Sequence, residues 1–282
     1  MPSKRHLSAI KVYKPMPRFM PISVTGQACS LNCAHCRRHY LRHMINPRPF
    51  GGLEALVDHL VEKQNIIGIL VSGGMDRSLK VPIDWNVIRK IKKKYDLKIN
   101  VHVGFIEKDD IEKIAFSEVD VVSLDFVLSD EAIWKVYGIH KTREDYLHII
   151  DLLESHGIKY APHITVGLNW GKIGWEYDAI EALRSRSFEV LVINVLIPTR
   201  GTPMERVALD INAVKSVFKY AREKISDKEL SLGCMRPRIL EYEKFAIDIG
   251  FERVVLPQKR SVDYIKSKGM KILEKNTCCV FS

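Results

Sequence analysis

Eight short apolar runs, rich in β-branched residues, recur along this chain and are separated by stretches with helical periodicity. This alternation predicts βα units arranged around a parallel sheet. With 282 residues to place, the chain is predicted to form one α/β domain, a (β/α)8 barrel of the TIM type, because such barrels take about 250 residues. The predicted strands are residues 21–26, 67–73, 99–105, 119–126, 159–168, 190–197, 229–235 and 252–257.

The loops that follow the strands are predicted to carry the chemistry, because they converge on one mouth of such a barrel. Residues 1–20 are expected to form an N-terminal arm, residues 21–258 the barrel and residues 259–282 a C-terminal extension. Helices are predicted at 52–64 and 143–157, the latter closed by Gly157. The residues of interest that fall at strand ends or in late strand positions are Cys29 to Cys36, Gly73, Gly74, Asp125 and Asn194.

Composition indicates a folded, cytoplasmic protein. The hydrophobic fraction is 46% and the charged fraction 28%, as in ordinary globular proteins. There is no apolar stretch of the roughly 20 residues that a membrane span needs, and the segment MPSKRHLSAIKVYKP lacks the apolar middle of a signal peptide. The six cysteines are therefore more typical of metal ligands than of disulfides.

The formal net charge of +10 comes from 44 basic and 34 acidic residues, with local runs at 89–94 and 37–42. These runs can be solvated helix faces. They can also attract acidic partners, such as a small electron-transfer protein or an acidic carrier domain. Nucleic acid is not favoured, since basic and aromatic residues do not alternate and no known binding motif is present.

A cysteine-rich loop, CSLNCAHC, follows the first predicted strand and precedes a predicted helix rich in His and Arg. Cys29, Cys33 and Cys36 supply three thiolates, which can hold three irons of a [4Fe-4S] cubane and leave the fourth open. The alternative is a zinc site in a zinc-stabilised α/β binding protein, with a histidine as fourth ligand. The candidate histidines are His35, His39 and His43.

The CxxxCxxC loop after the first barrel strand resembles the signature of the radical S-adenosylmethionine (SAM) superfamily. The resemblance implies that the open iron chelates SAM, so that [4Fe-4S] and SAM are the expected cofactors. Ser72, Gly73 and Gly74 resemble the superfamily's glycine motif, where bare backbone admits the methionine amino group. His35 stands where many members carry an aromatic residue near adenine, and its imidazole can stack or hydrogen-bond there.

Within the superfamily, residues 20 to 240 are most similar to biotin synthase. The segment SLD ending at Asp125 looks like the one whose aspartate binds the SAM ribose, and ITVGL, with Ile164 and Val166, resembles the turn that accepts adenine. INVLIPTRGTPM resembles the segment in which Asn194 points toward substrate. Without the resemblance, Asp125 could be a helix N-cap and Asn194 could satisfy backbone groups inside the barrel.

The barrel cysteines that biotin synthase uses for its second cluster are absent here. The corresponding strands carry His102, Ser123 and His163, and we expect His163 to contact substrate. Three other cysteines, Cys234, Cys278 and Cys279, could instead hold an auxiliary [4Fe-4S] cluster, with Ser282, Arg236 or Arg238 nearby. They could equally be buried structural cysteines, although a cysteine pair near an exposed chain end has no obvious packing role.

A relative of biotin synthase without the barrel cysteines resembles a component of the two-protein lipoyl synthase, in which two related radical SAM proteins insert sulfur into an octanoyl chain. The resemblance implies hydrogen abstraction from an unactivated carbon followed by sulfur transfer. It also implies three partners: an acidic lipoyl carrier domain as substrate, a small electron-transfer protein and a second radical SAM protein. Dethiobiotin sulfuration or another radical SAM reaction is the alternative.

Overall fold

The computed structural model describes residues 7–282. Its parallel strands form one ten-stranded sheet in the order β10-β1-β9-β8-β7-β6-β5-β4-β3-β2. The strands are β1 (Ala9–Tyr13), β2 (Phe19–Ser23), β3 (Gly68–Ser72), β4 (Lys98–His102), β5 (Val121–Asp125), β6 (Tyr160–Val166), β7 (Leu191–Val195), β8 (Leu230–Leu232), β9 (Arg253–Val255) and β10 (Lys271–Lys275).

Helices connect these strands on the outside of the curled sheet. They are α1 (Leu53–Gln64), α2 (Trp85–Lys94), α3 (Lys108–Ser117), the short α4 (Asp130–Ala132), α5 (Arg143–Ser155), α6 (Trp175–Leu183), α7 (Ile211–Lys224), α8 (Leu240–Asp248) and α9 (Lys259–Ser267). A π-helical turn, Ile133–Tyr137, continues α4. No helix among residues 7–282 is long and apolar enough to cross a membrane.

The predicted α/β barrel fold is confirmed, and the eight predicted strands correspond to β2 through β9. Both helices predicted by residue range are present, and Gly157 lies just after α5 with a φ of 64°, as a helix-closing glycine should. The sheet has two strands more than expected. Strand β1 comes from the expected N-terminal arm, whose first six residues lie outside the described range, and β10 comes from the expected C-terminal extension.

The extra strands change how the barrel is completed. β1 pairs with both β9 and β10, whereas β2 pairs along its length only with β3. Residue Ile45 forms an isolated bridge to Ile22 on β2. Residues 277–282, called the tail below, reach the region of β2, and the Phe281 ring centroid lies 5.7 Å from that of Phe19. Within residues 7–282, β2 and β10 are thus the two edges of the sheet, and tail residues pack beside β2.

The core has two parts, because successive side chains of a strand point to opposite faces. Ile164 and Val166 of β6 belong to the large core between sheet and helices. Ala161, on the opposite face of β6, belongs to a smaller cluster inside the barrel that also contains Cys279, Val280 and Phe281. The tail therefore fills part of the barrel interior, which we call the lumen.

The predicted helix immediately after the cysteine loop is wrong. Arg37 and Arg38 have φ angles of 41° and 66°, a left-handed backbone that an α-helix cannot contain. Two 3-10 helices, His39–His43 and Arg48–Phe50, follow instead. The histidines that seemed to lie at α-helical spacing therefore do not share one regular helix face.

Candidate active site

The cysteine loop after β2 is held against two neighbouring loops. The Ser30 N–H donates to the Met75 carbonyl over 2.7 Å, and the Ala34 N–H donates to the Val136 carbonyl over 2.7 Å. Cys33 is buried, whereas Cys29 and Cys36 are partly exposed. The loop thus presents three thiols while its backbone is fixed at both ends of the motif.

Gly74 is required by the close approach of this loop. A Cβ on Gly74 would lie 2.1 Å from the Ala28 carbonyl oxygen and 2.4 Å from the Cys29 Cβ. The Gly74 N–H donates to Thr25 Oγ1 over 2.7 Å. At Gly73 the nearest atom to such a Cβ is Thr25 Oγ1, at 3.0 Å. The glycine pair therefore positions the first cysteine, a role that adds to its predicted contact with SAM.

Ser72 ends β3 beside these glycines. Its carbonyl accepts a hydrogen bond from the Val24 N–H over 2.8 Å, which ties the end of β3 to the start of the cysteine loop. The side chain of Ser72 is partly exposed. Ser72 is therefore placed where the predicted SAM-binding segment begins.

Cys33, Cys36 and His35 place their ligand atoms within 4.8 Å of one another, and Cys29 is not part of that trio. Hydrogen bonding between the two thiols is the main cause that lowers the pKa of Cys36 to about 4 and raises the pKa of Cys33. The His35 ring centroid lies 5.3 Å from that of Tyr137. In a [4Fe-4S] cubane each cysteine binds a different iron, so the thiols need not all lie close together. The wider spacing of Cys29 from the other two thiols therefore suits a cluster.

Asp125 ends β5 and faces a small cavity that Met75, Tyr137 and Tyr146 also line. Within residues 7–282 no hydrogen bond to its carboxylate is found, so the carboxylate is available to a ligand. It does not cap α4, whose N-cap is Ser129, with the Ala132 N–H donating to its hydroxyl over 3.2 Å. The cavity lies next to the glycine pair through Met75.

Ile164 and Val166 do not present side chains to this cavity. Both are fully buried in the core between sheet and helices. Contact with adenine at this strand would have to involve the backbone or the lumen-facing residues. Period-two alternation along β6, with His163 and Thr165 on the opposite face, could have indicated this from the sequence.

His102 and His163 meet inside the lumen, with His102 Nε2 3.3 Å from His163 Nδ1. Burial lowers the pKa of both imidazoles. Within the described residues, His163 Nε2 and Asn194 Oδ1 are buried and have no hydrogen-bond partner. Asn194 packs on Gly233, where a Cβ would lie 2.1 Å from Asn194 Oδ1. Asn194 thus lies against the residue that precedes Cys234 in the chain.

Cys234 is an exposed residue, whereas Cys278 is partly buried and Cys279 is buried. The Cys234 thiol lies near enough to both of the paired thiols for their charges to interact. Burial raises the pKa of the Cys234 thiol, and negative charge on Cys278 raises it further. Hydrogen bonding between the paired thiols is the main cause that lowers the pKa of Cys278 to about 7 and raises that of Cys279. The three thiols do not approach as closely as the trio around Cys33, the one such trio found among residues 7–282.

The expected neighbours of these thiols, Arg236, Arg238 and Ser282, have other hydrogen-bond partners. Arg236 is fully buried and pairs with Glu243 over 2.7 Å, while Arg238 Nη2 lies 3.4 Å from the Cys234 carbonyl oxygen. Ser282 Oγ lies 3.4 Å from Arg253 Nη2. Cys279 is buried among apolar side chains, so the expectation that the pair has no packing role is wrong.

Sequence reasoning missed the residues that hold the tail in place. The Tyr13 hydroxyl donates to the Phe281 carbonyl over 2.7 Å, and Arg253 Nη1 donates to the same oxygen over 2.9 Å. The Lys98 ammonium lies 5.2 Å from the Phe281 ring centroid. These contacts join distant parts of the chain, and no local pattern announces them.

A basic cleft of about 650 Å³ opens beside Cys36. It lies between the cysteine loop and the loop after β7, which Tyr40 and Thr199 link through their hydroxyls over 2.8 Å. Its lining residues are Gln27, Asn32, Cys36, Arg37, Arg38, His39, Arg42, Arg200, Gly201 and Thr202. We call it the arginine cleft.

Comparison with known proteins assigns the family. The profile of the Radical SAM superfamily matches residues 23–184, more than half of the chain and including the whole cysteine loop. This chain belongs to the radical SAM superfamily. The resemblance of the sequence to this superfamily is confirmed. A radical SAM cysteine loop favours an iron–sulfur cluster over the zinc alternative.

Among curated proteins, this radical SAM chain is similar to two biotin synthases. It is 24% identical over 193 residues to that of Sulfurihydrogenibium sp. (strain YO3AOP1), covering 65% of this chain and 56% of the relative. It is 24% identical over 206 residues to that of Lysinibacillus sphaericus (strain C3-41), covering 70% and 61%. The alignments thus span less than two thirds of these relatives.

Among solved structures, the radical SAM chain resembles HydG, a maturase of the [FeFe]-hydrogenase, with a TM-score of 0.67 and 15% identity over 95% of this chain and 65% of that one. It also resembles methylornithine synthase (PylB), with a TM-score of 0.62 and 11% identity over 94% and 84%. At these identities the likeness concerns the fold alone. The fold likeness extends over nearly the whole chain.

Proposed function

We propose that this radical SAM enzyme inserts sulfur into an octanoyl chain carried on an acidic protein domain, as a component of a lipoyl synthase. The observation that supports the proposal is the course of the tail, which brings Cys278 and Cys279 within charge-interaction range of Cys234. A second sulfur-rich site in the lumen is what a sulfur-inserting enzyme needs in addition to its SAM site.

The first site fits a [4Fe-4S] cluster and SAM. Cys29, Cys33 and Cys36 would hold the cluster, since they offer three thiols on a loop whose backbone is fixed and whose approach to Gly74 leaves no room for a Cβ. When bound, the reduced cluster supplies the electron that splits SAM into methionine and a carbon-centred radical that abstracts hydrogen. The Asp125 carboxylate has no hydrogen-bond partner among the described residues. It would accept hydrogen bonds from the ribose hydroxyls of SAM.

The proposed SAM site and the proposed sulfur site lie at different positions along β4 and β5. On β4, Asn100 and His102 share one face, as do Ser123 and Asp125 on β5. Asn100 contacts Cys278 and Ser123, whereas His102 lies near the negative charge of Asp125. A chain reaching from the Asp125 cavity toward Cys278 would pass the His102–His163 pair. These imidazoles and Asn194 would orient the substrate, and the apolar lumen walls would exclude water.

A second group of three thiols suits an auxiliary [4Fe-4S] cluster as the sulfur source. Cys234, Cys278 and Cys279 would hold it, and Asn100 would donate a hydrogen bond to its cysteine sulfur. The positions of the barrel cysteines of biotin synthase are occupied by His102, Ser123 and His163. This difference favours a reaction other than dethiobiotin sulfuration, and it supports the lipoyl proposal together with a second radical SAM protein as partner.

The net charge of +10 supports an acidic carrier domain rather than a small free acid as the substrate, since long-range attraction speeds encounter with an acidic protein. The second candidate reaction is sulfuration of dethiobiotin. The 24% identity to biotin synthases over 193 residues favours it.

The decisive experiment compares the substrates directly. Protein reconstituted anaerobically is mixed with SAM, reductant and either an octanoylated lipoyl domain or dethiobiotin, with and without a second radical SAM protein. We expect about eight irons per chain and a carrier-mass increase from added sulfur. Thiolation of dethiobiotin alone would replace the lipoyl proposal by the biotin one. SAM cleavage with about four irons and no thiolated product would remove sulfur insertion while leaving radical SAM chemistry.

A further inference from the structure

The arginine cleft concentrates positive charge at one point of the barrel mouth. Arg37, Arg38, Arg42 and Arg200 line it, and all four are exposed. Arg37 and Arg38 donate only to backbone oxygens, those of Gly201 and Leu31. Within residues 7–282 none of the four forms an ion pair, and no carboxylate lines the cleft. Glu205, at its edge, accepts a hydrogen bond from the Gly201 N–H over 2.8 Å.

Four guanidinium groups without acidic partners repel one another, and nothing in the fold requires them together. SAM is not a suitable occupant, because its sulfonium and ammonium groups give it a net positive charge. An octanoyl chain is also unsuitable, since it is apolar and the cleft is lined by charged and polar groups. The chemistry of the cleft therefore fits an anionic occupant.

The cleft also touches the proposed SAM cluster directly, because Cys36 is one of its lining residues. A redox partner seated there would approach the cluster without crossing other protein layers. The small cavity beside Asp125 is lined by other residues, among them Met75 and Tyr137. The cleft and the Asp125 cavity share no lining residue, so a protein seated in the cleft would leave Asp125 uncovered.

We propose that the arginine cleft is the docking site for a small electron-transfer protein whose redox centre is ringed by carboxylates. This inference rests on the cluster proposed at Cys29, Cys33 and Cys36. In each docking event one electron leaves the reduced partner, which is oxidised by one unit, and enters the cluster site. No covalent bond forms or breaks and no proton moves in this step.

The test uses reduced and oxidised flavodoxin, a small acidic flavoprotein, as the probe. Arg42 and Arg200 are replaced by Glu together, since neither makes a hydrogen bond or ion pair within the described residues. The matched control is Lys90→Glu with Lys93→Glu on the exposed face of α2, which changes the net charge equally away from the cleft. Binding of oxidised flavodoxin is measured by calorimetry at low salt. Cluster reduction by flavodoxin and by reduced methyl viologen, a small cation, is followed by absorbance.

We expect the cleft variant to bind flavodoxin about tenfold more weakly at low salt, with the difference shrinking as salt rises. The ratio of its reduction rate with flavodoxin to that with methyl viologen should fall by about the same factor. The Lys90/Lys93 variant should keep both values. A milder variant, Arg42→Gln with Arg200→Gln, should show a smaller fall in flavodoxin affinity and in the rate ratio. It keeps the test valid if the charge-reversal variant does not fold.

Equal effects of the cleft and control variants would overturn the docking site and indicate a general charge effect. Unchanged flavodoxin binding together with weakened binding of the octanoylated carrier would also overturn it. That result would identify the cleft as a binding site for the carrier domain. Failure of the cluster proposal is distinguishable from both, because then even methyl viologen would not support SAM cleavage by the unmodified protein.

Discussion

Asn100 donates a hydrogen bond to the Sγ of Cys278 over 3.6 Å, across 178 residues of sequence. The amide also accepts from the Ser123 hydroxyl over 2.9 Å, so its orientation is fixed from a second strand. Burying an amide is unfavourable unless it is hydrogen-bonded, and here Ser123 and the Cys278 sulfur satisfy both ends of the Asn100 amide. A hydrogen bond from an amide to a cysteine sulfur is the arrangement expected where a thiolate needs stabilisation.

Replacement of any cysteine of the loop should abolish SAM cleavage. Two thiolates cannot retain a cubane with one open iron, so Cys33→Ala should give no 5′-deoxyadenosine with dithionite while keeping the fold by circular dichroism. Cys234→Ala is the matched control, because it removes a thiol of the other group and should leave SAM cleavage in place. Near-normal cleavage by the Cys33→Ala protein would refute the assignment of the loop.

The glycine pair should respond in a graded way. In Gly74→Ala the new methyl would lie 2.1 Å from a backbone oxygen of the loop, so the loop must move and cluster loading should fall severely. In Gly73→Ala the nearest atom is a side-chain oxygen at 3.0 Å, which can give way. Iron content after anaerobic reconstitution measures the effect, and equal iron in both variants would show that the close approach does not hold the loop.

Asp125→Ala should weaken SAM binding and leave the cluster in place. Loss of a charge-assisted hydrogen bond costs about 1.5 to 3 kcal/mol, or about ten- to a hundredfold in affinity. The dissociation constant of SAM, measured by calorimetry on reconstituted protein, is the readout.

Ser129→Ala is the control for Asp125, since Ser129 is the residue that caps α4. Its loss should lower stability by about 1 kcal/mol without changing the affinity for SAM. If the two variants behave alike, Asp125 acts on the fold rather than on SAM.

The sequence predicted the repeating part of the fold well, because each buried strand carries a run of apolar residues that is visible locally. It missed β1 (AIKVY) and β10 (KILEK), which are only five residues long and in which charged residues interrupt the apolar ones. Such short half-buried strands are recognised only once their partners are known.

Site residues divide in the same way. The cysteine loop is a local motif, and the sequence contains all of it. The contact between Tyr13 and Phe281 joins residues 268 positions apart, and nothing near either residue indicates it. Ile164 and Val166 were selected by resemblance to a segment, whereas only one face of that strand can meet a ligand in the lumen.

The auxiliary cluster leads to a prediction about iron content. Protein with Cys29, Cys33 and Cys36 all replaced by Ala should stay brown and keep about half of the wild-type iron, roughly four atoms of eight. Replacing Cys278 and Cys279 by Ser in that background should remove the remainder. Wild-type protein that binds only about four irons would leave the three lumen cysteines as structural residues.

Sulfur transfer should depend on the thiols of the tail and not merely on its presence. Deleting residues 277–282 would remove thiols and packing together, because Val280 and Phe281 are buried against the lumen wall. A buried Phe removed from a core costs about 3 to 5 kcal/mol, so loss of activity in the truncated protein could reflect a damaged barrel.

Point variants separate the two contributions. Cys278→Ser with Cys279→Ala keeps the tail backbone, including the Phe281 carbonyl that Tyr13 and Arg253 bind. This variant should form 5′-deoxyadenosine and transfer no sulfur to the octanoylated carrier. Phe281→Leu is the control, since it reduces packing and keeps both thiols; it should lower thermal stability and still give thiolated product. Thiolation by the double cysteine variant, measured by mass spectrometry of the carrier, would refute the tail as the sulfur site.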